Sequence, residues 1–222
     1  HGGYYTVDLT LLYTLMTSQR RWDELPGNTD YSVNKGILVT TTDVRRSNSA
    51  AMYLAMMSFV ANGGSIVQND IQAEAALESV APLFLRQGYV EYSSAAPFND
   101  YLVMGIGKAP MVNVYEAQFI YAASQGRTSD EMVLIYPEPT VFSKHIFVPL
   151  SENGEILGEL LENDDELRRL AVEHGFRNDE TEYFRSFTEE AGIALPGAIV
   201  NVIDTPSYEI LEGMIQRIEE QY

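Results

Sequence analysis

Short β-rich apolar runs alternate along this chain with segments whose apolar residues recur at helical spacing, and glycine or proline punctuates many of the joins. That alternation constrains the fold more than any other feature. Gly36-Ile37-Leu38-Val39-Thr40-Thr41, Met111-Val112-Asn113-Val114-Tyr115, Val133-Leu134-Ile135-Tyr136, Ile146-Phe147-Val148 and Ile199 to Ile203 read as strands. Helices are predicted over Val7 to Met16, Ser47 to Ala61, Asp70 to Gln87 with a kink at Pro82, Asn99 to Met104, and Glu116 to Ala123. Leu157, Leu160, Leu161, Leu167 and Leu170 fall on one helical face that stops at Gly175. Thr205-Pro206 opens a terminal helix with an apolar stripe of Ile210, Leu211, Met214, Ile215 and Ile218. The expectation is an α/β fold, a mostly parallel sheet flanked by helices on both faces.

Composition narrows function more than fold. The 222 residues hold 32 acids against 14 lysines and arginines, a formal charge of −18, which repels nucleic acid and anionic lipid. No nucleic-acid partner is expected. The chain has no cysteine, which excludes thiolate zinc sites, thiol nucleophiles and disulfides within it. The longest strongly apolar run, Ala50 to Ala61, is too short to span a bilayer and is broken by Ser58. The sequence opens at His1 with no charged and apolar leader after it, so a targeting segment is expected to have been removed or left out. His1, His145 and His174 show no metal-ligand spacing, Gly105-Ile106-Gly107-Lys108 lacks the phosphate-loop and dinucleotide spacings, and no nucleophile elbow occurs. Glu152 to Glu166 reads as a solvated helix face. Neither catalysis, a metal nor a cofactor is expected.

Polar chemistry gathers at three junctions. Thr40-Thr41-Thr42-Asp43-Val44-Arg45-Arg46-Ser47-Asn48-Ser49 carries a strand into a nearly all-apolar helix, whose unpaired amides and positive dipole end suit an oxyanion or carboxylate. The plainer alternative has Ser47 or Asn48 capping the helix, with Arg45 and Arg46 in solvent. At the second junction, Tyr115 and Glu116 stand where another strand meets a helix; Glu116 would accept from a ligand amine or simply complement the helix dipole. The third, Tyr136-Pro137-Glu138-Pro139-Thr140, reads as a rim, a hinge or a simple turn.

Four of these pieces, in order, carry a resemblance: Thr41 to Tyr53, Met111 to Phe119, Ile135 to Thr140, and Glu173-His174-Gly175-Phe176-Arg177. Together they resemble bacterial extracellular solute-binding proteins of the type II periplasmic-binding fold, in a branch distantly similar to molybdate and sulfate binders. The resemblance implies two α/β lobes joined by crossing strands, with ligand captured in the cleft between them. Residues 1–36 would be a remnant of a first lobe lacking its upstream part, 37–131 the ligand-contacting second lobe, and 132–222 the return into the first lobe with a C-terminal helix. Thr42, Asp43, Arg46, Ser47, Asn48, Ser49, Tyr115, Glu116 and Tyr136 would contact a small polar or anionic solute. The implied setting is extracytoplasmic, in the periplasm or at the cell surface, with a membrane transporter or other envelope protein as partner. Two competitors accompany this expectation: an interaction module that keeps the binding-protein fold and docks onto a protein without small ligand, and a metal-dependent hydrolase using acids such as Asp43 and Glu116.

Overall fold

The computed structural model describes residues 3–88 and 90–222; His1 lies outside them. Among the described residues there are nine α-helices and one two-stranded sheet, which pairs β1 (Tyr5–Asp8) with β2 (Ile135–Glu138). The helices are α1 (Leu9–Thr17), α2 (Asn48–Ala61), α3 (Asp70–Leu85), α4 (Ala95–Met104), α5 (Glu116–Ser124), α6 (Glu152–Asn163), α7 (Asp165–Glu173), α8 (Thr181–Glu190) and α9 (Tyr208–Glu219). Several begin where a short polar side chain takes an otherwise unpaired first-turn amide. Asp8 accepts from Thr10 and Leu11, Asn69 from Gln72, Ser151 from Gly154, Asp164 from Leu167 and Ser207 from Ile210.

The chain divides into two compact units. Unit 1 holds Tyr115–Leu134 and Phe142–Ile199, with the N-terminal residues up to Tyr5; unit 2 holds Thr6–Val114, Ile135–Val141 and Val200–Tyr222. In unit 2, α1, α2, α3 and α9 pack around Met16, Leu54, Met57, Val80, Phe84, Met214 and Ile218. Helix α2 is apolar nearly all round because it is buried nearly all round, the state such a composition requires. The core of unit 1 is smaller. It gathers Phe119, Ile120 and Ala122 of α5, Val172 of α7 and Phe184 of α8. Gly175 ends α7 at φ +86°, and a Cβ there would strike the Ala117 carbonyl and lie 2.8 Å from its Cα, so only glycine lets α7 finish so close to α5.

The expected parallel sheet is not formed. Helix accounts for 49% of the residues and extended pairing for 6%, so the fold is predominantly helical. Gly36–Thr41 and Met111–Tyr115 meet in a single parallel bridge at Thr40 and Val112, and Ile199–Ile203 contributes a bridge between Thr140 and Val202. Ile146–Val148 pairs with no strand. β-propensity expresses how a side chain packs on its neighbours, and here helices supply those neighbours: Ile37 and Val39 are buried in the core that α2 and α3 build. The resemblance to a type II periplasmic-binding fold is thereby overturned. With no extensive sheet there is no sheet-built lobe to receive a solute, and an interlobe cleft has no support.

One helical expectation is also revised. The leucine face from Leu157 to Leu170 is cut at Asp164, whose side chain accepts from Leu167 N at 2.9 Å and so starts α7 afresh.

Candidate functional site

The polar loop ahead of α2 is closed on itself. Thr41, Thr42, Asp43 and Val44 are buried, with the Asp43 side chain sealed from solvent. Thr42 Oγ1 donates to Ser47 Oγ at 2.6 Å, and each of these lies 2.9 Å from Ser49 Oγ, a ring in which every hydroxyl can donate once and accept once. Asp43 Oδ1 accepts from the Arg45 amide at 3.0 Å and from Arg45 Nε at 2.8 Å, while its other oxygen takes Arg45 Nη2. The Arg45 side-chain bonds, ahead of its amide, hold the Asp43 carboxyl below the usual carboxylate range against the opposing effect of burial. The loop is further anchored by Thr41 N to Gln87 Oε1 at 2.9 Å and by Asn113 Nδ2 to the Ser49 carbonyl at 3.1 Å. Arg45 also lies over the Tyr222 ring and Arg46 over the Tyr92 ring. Asn48 is exposed at the head of α2. The hydroxyls and carboxylate expected to meet a ligand meet one another.

Tyr115 and Glu116 belong to unit 1. Tyr115 is the residue before α5, and its amide donates to Gln118 Oε1 at 3.3 Å. Glu116 takes a two-pronged ion pair from Arg177, Nε at 2.7 Å and Nη2 at 2.8 Å, and the same guanidinium lies over the Phe184 ring. That pair joins the start of α5 to the segment after α7. Tyr136 is buried in β2 of unit 2. Thr42, Asp43, Arg46 and Ser47 therefore lie in one loop that runs into Asn48 and Ser49 at the start of α2, while Tyr115 and Glu116 stand together at the start of α5 and Tyr136 lies in β2.

Among the described residues no group of three or more histidine, aspartate or glutamate side chains is placed to hold a metal ion, which overturns the metal-dependent hydrolase. No helix among them is long and apolar enough to cross a membrane. The docking module built on a binding-protein fold loses its fold, and the small solute and the transporter or envelope partner expected with that fold lose their support.

The feature that sequence reasoning missed lies in unit 1. Every residue of α6 is exposed or half-buried, including Ile156, Leu157, Leu160 and Leu161, and none is buried. Before it, Ile146, Val148 and Leu150 are 83%, 65% and 93% exposed. The β-rich triplet Ile146-Phe147-Val148 reads as a strand, because a sequence run carries the same apolar signal whether or not anything covers it. The acids of α6 were legible as a solvated face and its leucines as an apolar one; that the leucines stay uncovered was not.

No family model matches this sequence, and no curated protein or solved structure matches it.

Proposed function

We propose that this chain acts without catalysis, as a recognition module whose working surface is the uncovered apolar face of α6 with the segment before it, and that it works outside the cytoplasm. The observation that carries the recognition role is the exposure of Ile146, Val148 and Leu150 next to a helix that buries none of its four large apolar side chains. Fully covering a leucine or isoleucine side chain is worth about 1.5–3 kcal/mol, and soluble domains keep apolar surface scattered unless a partner covers it. The role needs no solute cleft and no periplasmic-binding fold, since the surface belongs to unit 1 alone. Its non-catalytic character is supported by the engagement of both carboxylates considered for chemistry, Asp43 by Arg45 and Glu116 by Arg177.

A photo-crosslinking residue placed at Leu160 in producing cells is expected to give a discrete adduct, and one placed at Arg46 to give none. Loss of the Leu160 adduct in the Leu157→Gln background would support the assignment. Absence of any adduct at 160, or equal adducts at both positions, would contradict it. Fractionation of the same cells checks the compartment: recovery in the cytosol would remove that part of the proposal.

A further inference from the structure

Residues 142–163 turn two apolar rows toward solvent, and local packing explains the first. Gly154 and Gly158 stand one turn apart on α6; a Cβ at Gly158 would lie 3.2 Å from the Phe147 ring, and one at Gly154 would lie 3.3 Å from Pro149 Cα. The two glycines thus let Phe147 and Pro149 lie against the helix. The alternate residues Ile146, Val148 and Leu150 are then left outward. On α6 itself, Ile156, Leu157, Leu160 and Leu161 form a stripe at i, i+1, i+4 and i+5. Between segment and helix runs an open groove of about 570 Å³, with Phe147, Gly158 and Leu161 among its lining and Glu155, Glu159 and Glu162 along it.

The charge of this face is one-sided. Lys144 stands against Glu152, Glu155, Glu159 and Glu162 within residues 142–163, in a chain whose formal charge is −18. A second copy of the chain would bring the same acids to the same place, and an anionic membrane would repel them. An apolar stripe with acids along one edge is complementary to an amphipathic helix with basic residues along the facing edge.

Resting on the recognition role proposed for α6, we infer that this face binds a basic amphipathic helix of a partner protein. Its leucine-like side chains cover Ile156, Leu157 and Leu160, and its lysines or arginines lie along Glu152 and Glu159, which stand one turn to either side of Ile156 at the edge of the stripe. The twelve residues of α6 offer about 18 Å of length, enough for roughly three turns of a partner helix.

The test is fluorescence anisotropy of a labelled leucine–lysine amphipathic peptide, about five turns long, titrated with the full chain, beside a leucine–glutamate peptide of the same pattern. The leucine–lysine peptide is expected to bind, more weakly as salt is added, and the leucine–glutamate peptide to bind at least about tenfold more weakly. Leu157→Gln with Leu160→Gln keeps the net charge and is expected to weaken binding by about tenfold or more. Ile146→Gln, at a side chain open to solvent, gives the same direction without touching α6. Glu152→Lys with Glu159→Lys should shift preference toward the leucine–glutamate peptide. Equal affinity for the two peptides would overturn the basic partner while leaving the recognition face standing. Unchanged affinity in the glutamine variants would overturn both, because the peptide would then be reading net charge alone. Self-association of the chain in sedimentation, or binding to neutral phosphatidylcholine vesicles, either one abolished by the glutamine variants, would assign the face to a second copy or to lipid and overturn the inference.

Discussion

In unit 2, α2 buries Ala50, Tyr53, Leu54, Met56 and Met57 among α1, α3 and α9, whereas in unit 1 α6 leaves Ile156, Leu157, Leu160 and Leu161 uncovered. The polar groups differ in the opposite sense. The loop before α2 pairs the Thr42, Ser47 and Ser49 hydroxyls with one another and the Asp43 carboxylate with Arg45, while the acids of α6 stand in solvent beside its apolar stripe. Apolar periodicity alone therefore does not mark a core, and a polar loop at a helix start does not mark a binding site. What separates the two regions is whether neighbouring elements already occupy the surface.

The comparison can be broken by substitution. Leu54→Ala is expected to cost about 2–5 kcal/mol, the range for emptying a packed leucine site, and Leu160→Ala to stay within about 0.5 kcal/mol. Urea unfolding followed through Trp22, the single tryptophan, which lies in unit 2 and meets Tyr31 edge-on, reads the first directly. A comparable loss from Leu160→Ala would show that α6 is covered after all. Within unit 1, Gly175→Ala should destabilise by about 2–3 kcal/mol, combining the positive φ with the approach to Ala117, and hydrogen exchange should accelerate across α5 and α7. Gly192→Ala, with φ +71° and open space around it, should cost only about 1 kcal/mol.

The closed loop sharpens the contrast further. Asp43→Asn is expected to cost about 2 kcal/mol, through loss of the charge-assisted bonds to Arg45. Because Arg45 lowers the folded carboxyl, this contribution is complete above the unfolded value of about 3.9 and disappears as pH falls through the lower folded one. Urea midpoints measured from neutral pH downward should therefore drop less steeply below about pH 4 in the Asn variant than in the parent. Thr42→Val should cost about 1 kcal/mol by opening the hydroxyl ring, visible as a lowered thermal midpoint.

Most of the helices were legible in the sequence, although no helix was expected over α8. Asn69 stands one residue before the predicted start of α3, and Ser207 starts α9 directly after Thr205-Pro206. These signals are local, so they survive without knowledge of the fold. The expected sheet was misread because Ile37, Val39 and Val112 have the same side chains whether strands or helices surround them. The split at Asp164 was missed because apolar spacing continues across it while a cap intervenes. Side-chain pairing was beyond reach for different reasons. Arg45 is two residues from Asp43, yet nothing in the spacing says that its guanidinium folds back; Arg177 reaches Glu116 across 61 residues of chain.

The central claim is that recognition belongs to the uncovered face of unit 1 and not to the closed loop of unit 2. Hydrogen exchange of the full chain, with and without the leucine–lysine amphipathic peptide, tests it most directly. Slowed exchange confined to residues 146–163, with residues 40–49 unchanged, is the predicted result. Protection at 40–49 with none at 146–163 would contradict it.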